Sequence, residues 1–233
     1  LGVVVSIIII IIYLTKIPVP SEKEKISLST SFKLLIANNN YKKGVLSQAF
    51  YVGAQIMCWT YIFQYVDNLN DRLGLDLTAT YFNIGAMICF LSGRWIGTIL
   101  MHKINPSKLL IYFGLGGIIC CIGTILIQNI IGLISLVGIS VFMSIMFPTI
   151  YGIALKDMGD ESKIGSAGLV MAIVGGALMP VLQGSILDWG GTGFNDILIF
   201  GFIPEINFSF ILPLICLMVV TYYGYSTFKT NKI

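Results

Sequence analysis

The sequence predicts an all-α membrane protein: a six-helix bundle with the end of one more membrane helix ahead of it. Three observations carry that prediction. Hydrophobic residues make up 56% of the 233 and charged residues only 11%, where a soluble domain of this size carries roughly 25% charged. Mean hydropathy is +0.90. Six apolar stretches also recur, each near the ~20 residues that a helix rising about 1.5 Å per residue needs to cross about 30 Å of hydrocarbon.

Residues 1–15 open with an isoleucine-rich run. It is short for a full span and lacks the basic leader and small-residue cleavage site of a secretory signal, so it is expected to be the tail of a transmembrane helix. Residues 16–43 form a long polar stretch that opens Pro18-Val19-Pro20, mixes charge and closes on Asn38-Asn39-Asn40. They read as a cytoplasmic linker, with a surface helix expected around 26–36. The bundle follows over 44–233, with spans at 44–66, 79–101, 109–128, 130–155, 164–187 and 206–228. Connections between them are short, so successive helices are expected to be antiparallel neighbours. Strands of a transmembrane barrel would alternate apolar and polar over about 10 residues, and no such alternation is present.

Charge orients the bundle. Of the 14 Lys and Arg, all but Arg72 fall on alternate connections, the pattern of cytoplasmic loops in a multi-pass cell-membrane protein. Asp67, Asp71, Asp76, Asp188, Asp196 and Glu205 collect on the opposite side. The net charge of +3 follows from this asymmetry and gives no argument for a nucleic-acid partner; the expected surroundings are lipid. Five cysteines lie within apolar spans with no CxxC and no nearby His, so they read as small packing residues rather than metal ligands. The single His102 sits at a helix end. The spans hold no His-Cys pair, no carboxylate dyad and no phosphate-binding glycine loop, which argues against an enzyme.

Six helices behind a basic linker and a helix end match the second half of a twelve-helix transporter, a class built from two six-helix halves around a midplane site. The first bundle helix reads QAFYVGAQIMCWTYIFQYV from Gln48. Gln48, Tyr51, Gln55 and Trp59 follow the three-and-four spacing of one helical face. An amide cannot stand bare in lipid, so Gln55 is expected to face protein or a water-filled cavity. Such a wall suits a sugar, whose hydroxyls want amides and whose C–H faces stack on aromatic rings. The other reading is helix-to-helix hydrogen bonding by the glutamines and an interfacial belt from the aromatics, which is favoured for Gln48 and Tyr65 near the helix ends.

The stretch GRWIGTILMHKINPSKLL, from Gly93, combines a GxxxG pair, a basic turn and a helix-starting proline at Pro106. Arg94 lies slightly inside its span and must snorkel or pair with a carboxylate; Asp157 is the expected partner, and both are assigned to gating or assembly. Further along, Pro148 removes a backbone hydrogen bond and Gly152 permits close approach. Interrupted helices of this kind line transporter sites or bend during access change, so Thr149 and Tyr151 are expected to flank the pathway. Gly175, Gly176 and Pro180 are expected to break the next helix similarly.

FYVGAQIMCWTYIFQYV, the turn from Gly93 to Pro106 and above all SIMFPTIYGIALKDMGDESKIGSAGLVMAIVGGALMPVLQG resemble helices seven to eleven of the L-fucose permease group of the major facilitator superfamily, in order and spacing from about 44 to 188. The resemblance implies the carboxyl-terminal six-helix bundle of a proton-linked sugar symporter. It implies a neutral monosaccharide as substrate, and the residues expected to meet it are Tyr51, Gln55, Trp59, Asn83, Thr149 and Tyr151. It also implies an amino-terminal six-helix half holding the proton-titrating carboxylates, and no cofactor beyond the coupling proton. Consistently, no Asp or Glu stands near the centre of a span. One departure concerns the sugar: the fucose permeases place an amide and a phenol just before the proline, where this chain has Met146 and Phe147, which leaves fucose and hexose both open. The alternative function is a non-transporting sensor or assembly protein, or an inactive fragment, that keeps the fold.

Overall fold

The computed structural model describes residues 35–189, 191 and 197–230, together with Ser6, Ile8, Ile10, Ile11 and Thr15. Of the opening run, Ser6, Ile8, Ile10 and Ile11 are helical; the rest of 1–15 and the linker through 34, with its expected surface helix, lie outside the described residues.

Among the described residues, six helical rods form the bundle. The first comprises α1 (Asn39–Thr60) and α2 (Ile62–Leu73); the second is α3 (Ala79–Met101) and the third α4 (Pro106–Leu126). The fourth comprises α5 (Ile130–Met143) and α6 (Met146–Ala154). The fifth runs through α7 (Ser162–Met171), a 3-10 turn (Ala172–Val174) and α8 (Gly175–Leu187). The sixth comprises α9 (Glu205–Ser209) and α10 (Ile211–Thr230). Between the last two rods, β1 (Leu198–Ile199) and β2 (Ile203–Pro204) pair antiparallel, with Leu198 opposite Pro204 and Ile199 opposite Ile203. This small hairpin departs from the expected all-helical pattern. Phe200 and Gly201 at its tip both take positive φ, 55° and 78°, which reverses the chain sharply.

The helix ends have local causes. The expected linker through 43 gives up its last residues to α1, because Asn38 caps the helix: its side chain accepts from Tyr41 N at 3.1 Å. Asn105 caps α4 in the same way, accepting from Ser107 N at 2.9 Å, with Pro106 at the first turn. Gly74, at φ 62°, ends α2 in the left-handed conformation.

Among the described residues, five rods are long and apolar enough to cross a membrane. The expected sixth span, 44–66, is the exception, because the first rod divides at Tyr61 and carries amides at 48, 55, 64, 68 and 70. Its polarity is matched by position. The first rod packs against the fourth, fifth and sixth and holds much of the core, with Tyr51, Met57, Ile62, Tyr65 and Leu69 all at 1% exposure or less.

Neighbours in sequence are not, in general, the closest neighbours in space. The third and fourth rods pack extensively as expected, but the other major pairings are first with fourth, first with fifth, first with sixth, second with fourth and third with sixth. The reason is steric. Lipid gives helices no hydrophobic drive to associate, so the surfaces that approach closest decide the pairing. A Cβ at Gly175 would run into the Ala49 backbone, one at Gly93 into Val141 and one at Gly114 into Thr221. The Gly93–Gly97 pair therefore serves packing, with Gly97 against Ile145.

Polar groups gather at both ends of the bundle. At one end a cavity of about 410 Å³ gathers Asn38, Asn40, Lys43, Lys156 and Asp157. At the other, Arg72 donates to Gln128 Oε1 at 3.0 Å, and Gln128 in turn donates to the Phe202 carbonyl of the hairpin.

Candidate functional site

The stripe read from the sequence lies along one side of α1. Tyr51 is buried, Gln55 and Trp59 are half-buried, and the four-residue steps stack them one above another. Three neighbouring elements bring side chains to this side. From α3, Asn83 Nδ2 donates to the Trp59 carbonyl at 3.0 Å, and Phe90 meets the Trp59 ring edge-on with centroids 5.2 Å apart. From α5, Ser140 Oγ accepts from Trp59 Nε1 at 3.2 Å. From α6, Phe147 meets Tyr51 edge-on at 6.2 Å and stacks on Tyr151 at 6.4 Å, with ring planes 13° apart.

Arg94 completes the group. Its guanidinium carbon lies 5.3 Å from the Phe90 ring centroid, and its Nε donates to the Ser144 carbonyl at 3.4 Å. The expected partnership with Asp157 is absent. Arg94 stands about 10 Å inside the end of α3, at about 1.5 Å per residue, whereas Asp157 sits in a left-handed turn at the basic end with φ 63°. A charge at that depth must face protein or water, and Arg94 is exposed.

Chemically, the face offers one guanidinium, two phenols, an indole and two amides. Gln55 has no hydrogen-bond partner among the described residues, so its donors and acceptor are available to a ligand. Among those residues no group of three His, Cys, Asp or Glu could hold a metal. The face can grip a polyhydroxylated, uncharged molecule by hydrogen bonds and ring stacking, and has no group placed to do covalent chemistry.

The structure thus brings together Tyr51, Gln55, Trp59, Asn83 and Tyr151. It does not bring Thr149 to them. Two residues from Tyr151 on a helix, Thr149 points the other way, 2% exposed, with its hydroxyl donating to the Ile145 carbonyl at 2.7 Å and lying 3.7 Å from Met101 Sδ. It borders a separate cavity of about 410 Å³ near the basic end, with Met101, Asn105, Pro148, Gly152 and Lys156. Gly152 was expected to permit close approach, yet a Cβ there would meet nothing within 4 Å; this glycine borders open space. Gly175 and Gly176 are helix-crossing contacts against Ala49 and Val52. The break of the fifth rod falls just before them at Ala172–Val174, while Pro180 lies inside α8 and its carbonyl accepts from Tyr61 at 2.7 Å.

Tyr65 bridges helices, donating to the Ile127 carbonyl at 3.1 Å and accepting from Asn207 at 3.2 Å. Gln48 does not match the bridging reading: it is fully buried, and neither its Oε1 nor its Nε2 has a hydrogen-bond partner. Sequence reasoning missed the roles of Phe90 and Ser140, which carry no polar or motif signal among so many apolar residues. It also placed Glu205 on an outer loop, whereas that side chain is buried in the first turn of α9, a position where the helix dipole favours a carboxylate. The preceding Pro204 was the available signal.

Comparison with known proteins gives four findings. The family model described as Major Facilitator Superfamily matches residues 1–182. The L-fucose-proton symporter of Haemophilus influenzae is 48% identical over 208 residues, 89% of this chain and 46% of that protein. A glucose/galactose transporter of Brucella abortus is 32% identical over 188 residues, 78% of this chain and 40% of that protein. Among solved structures, the crystal structure of the transporter FucP in the outward conformation superposes with a TM-score of 0.81 at 29% identity, covering 97% of this chain and 52% of that one. The chain spans about half the length of the curated relatives it matches.

Proposed function

The chain belongs to the Major Facilitator Superfamily and is a multi-pass membrane protein, and from that premise we propose that it forms the carboxyl-terminal half of a carrier for a neutral monosaccharide, driven by proton symport. The observation that carries the proposal is the face built by Tyr51, Gln55, Trp59, Asn83 and Tyr151 around an exposed Arg94. A guanidinium and an unpartnered amide at that depth would be costly against lipid and are useful against hydroxyls. L-fucose is the first candidate, since the 48% identical relative is named for it.

The partner half would cover the rods that this chain leaves bare. α3 and the fifth rod are the least buried of the five apolar rods, at 17% and 22% against 39% to 56% for the others. The substrate would then lie between the halves, against the face of Tyr51, Gln55 and Tyr151. By the distribution of Lys and Arg the basic end is cytoplasmic. The coupling proton would be carried by the partner half, because the face described here holds no carboxylate.

Proteoliposomes carrying the intact protein test this reading. L-fucose should drive proton uptake with external alkalinisation, and D-glucose or D-galactose should do so more weakly. No proton movement with any of the three would refute it.

A further inference from the structure

The fourth rod is broken at Ser144 and Ile145, and no backbone N–H is recorded on the Ser144 carbonyl at the break. Ser144 N donates to the Val141 carbonyl at 3.4 Å, and Thr149 N donates to the Ile145 carbonyl at 3.2 Å, so the ladder resumes one residue after Pro148. The carbonyl of Ser144 is the one that residue 148 would serve in a continuous helix. Pro148 has no N–H to give. Inside a membrane protein such a carbonyl must be satisfied by other means. The hydrogen bond that reaches it comes from another rod, from Arg94 Nε at 3.4 Å.

The approach that allows this bond is built in. A Cβ on Gly93 would stand 3.0 Å from the Val141 Cα and against its carbonyl, so only glycine lets α3 come close enough to the break for the next side chain to reach Ser144. Arg suits the task better than Lys. Its Nε can serve the carbonyl while the two terminal nitrogens keep four N–H donors for the open face. The Phe90 ring beneath the guanidinium carbon fixes its plane.

The geometry points to Arg94 as a positioning residue. Its guanidinium supplies the hydrogen bond that Pro148 withholds, and so sets the bend that holds the Phe147–Tyr151 stack against Tyr51. Gly93, Arg94 and Pro148 act as one device, in which the bend is fixed from a neighbouring helix rather than from within its own. Any effect on sugar recognition rests on the carrier reading above; the bond and the bend do not.

A double-mutant cycle on the intact protein in detergent tests it with two readouts that need no transport. The first is the thermal midpoint, and the second is the rate at which a thiol reagent modifies a cysteine placed at 151 in a cysteine-free background. Arg94→Gln should lower the midpoint by about 3 °C or more and change the labelling rate by about fivefold or more. Pro148→Ala returns an N–H to the Ser144 carbonyl, so in that background Arg94→Gln should change neither readout appreciably. If the single variant fails to accumulate, recovery of the protein in R94Q/P148A supports the proposal, and no recovery overturns it. Equal effects of Arg94→Gln with and without Pro148, or no effect in either background, also overturn it. Loss of L-fucose-driven proton uptake with the cycle intact would instead count against the carrier reading alone.

Discussion

Gln55 and Gln48 stand seven residues apart on one side of α1, and the structure gives them opposite situations. Gln55 is half-buried with its amide available. Replacing it with Ala should leave the thermal midpoint nearly unchanged and weaken sugar binding about tenfold, the worth of one lost hydrogen bond, measured as the dissociation constant in detergent. Gln48 is buried with both polar atoms unserved. A buried polar group without a partner costs about 1–3 kcal/mol, so Gln48→Met should raise the thermal midpoint by about 2–4 °C. A fall would show that the amide is satisfied within the protein, by water if not by a side chain. Helical spacing placed the two amides on one face, and that much was legible in the sequence. Which one meets the open side depends on where the fourth and sixth rods cross α1, and no local pattern encodes that. Arg94 shows the same limit: its depth was legible, but not the carbonyl it serves.

The breaks in the rods were legible as elements because proline announces them. Pro148 and Pro180 were both read as interruptions, although the actual discontinuities fall a few residues upstream, at 144–145 and 172–174. For Pro148 that displacement is expected, since proline removes the bond to the residue four positions back and leaves the turn before it unsupported; the break at 172–174 lies too far from Pro180 for that cause and adjoins Gly175. The division of the first rod at Tyr61 has no proline and was not foreseen. The glycines were legible only as small residues, and the structure separates them by what they touch. Gly175→Val would drive a side chain into the Ala49 backbone and should cost about 3 kcal/mol, seen as a loss of folded protein or a much lower midpoint. Gly152→Ala meets open space and should stabilise α6 by roughly 0.5–1 kcal/mol through helix propensity. If the glycine variants showed the reverse ranking, the rod crossings described here would be wrong.

At the scale of the whole molecule, composition and span length were enough to reveal a membrane bundle. The order of rods in space was not legible. Short connections suggested sequential pairing, whereas close approach at Gly93, Gly114 and Gly175 selects other partners. The charge asymmetry makes a direct prediction about orientation. An impermeant thiol reagent added outside intact cells should label a cysteine at Asp71 and spare one at Lys103; the reverse pattern would invert the bundle in the membrane. The account as a whole depends on the face around Tyr51, Gln55 and Tyr151 holding the sugar. Its most direct measurement is thiol labelling of single cysteines at 55 and 151, in the otherwise cysteine-free intact carrier, with and without saturating L-fucose. The account predicts that the sugar slows labelling at both positions several-fold and leaves a control cysteine at Lys103 unaffected. Equal rates at 55 and 151 with L-fucose, D-glucose or D-galactose present or absent would contradict it.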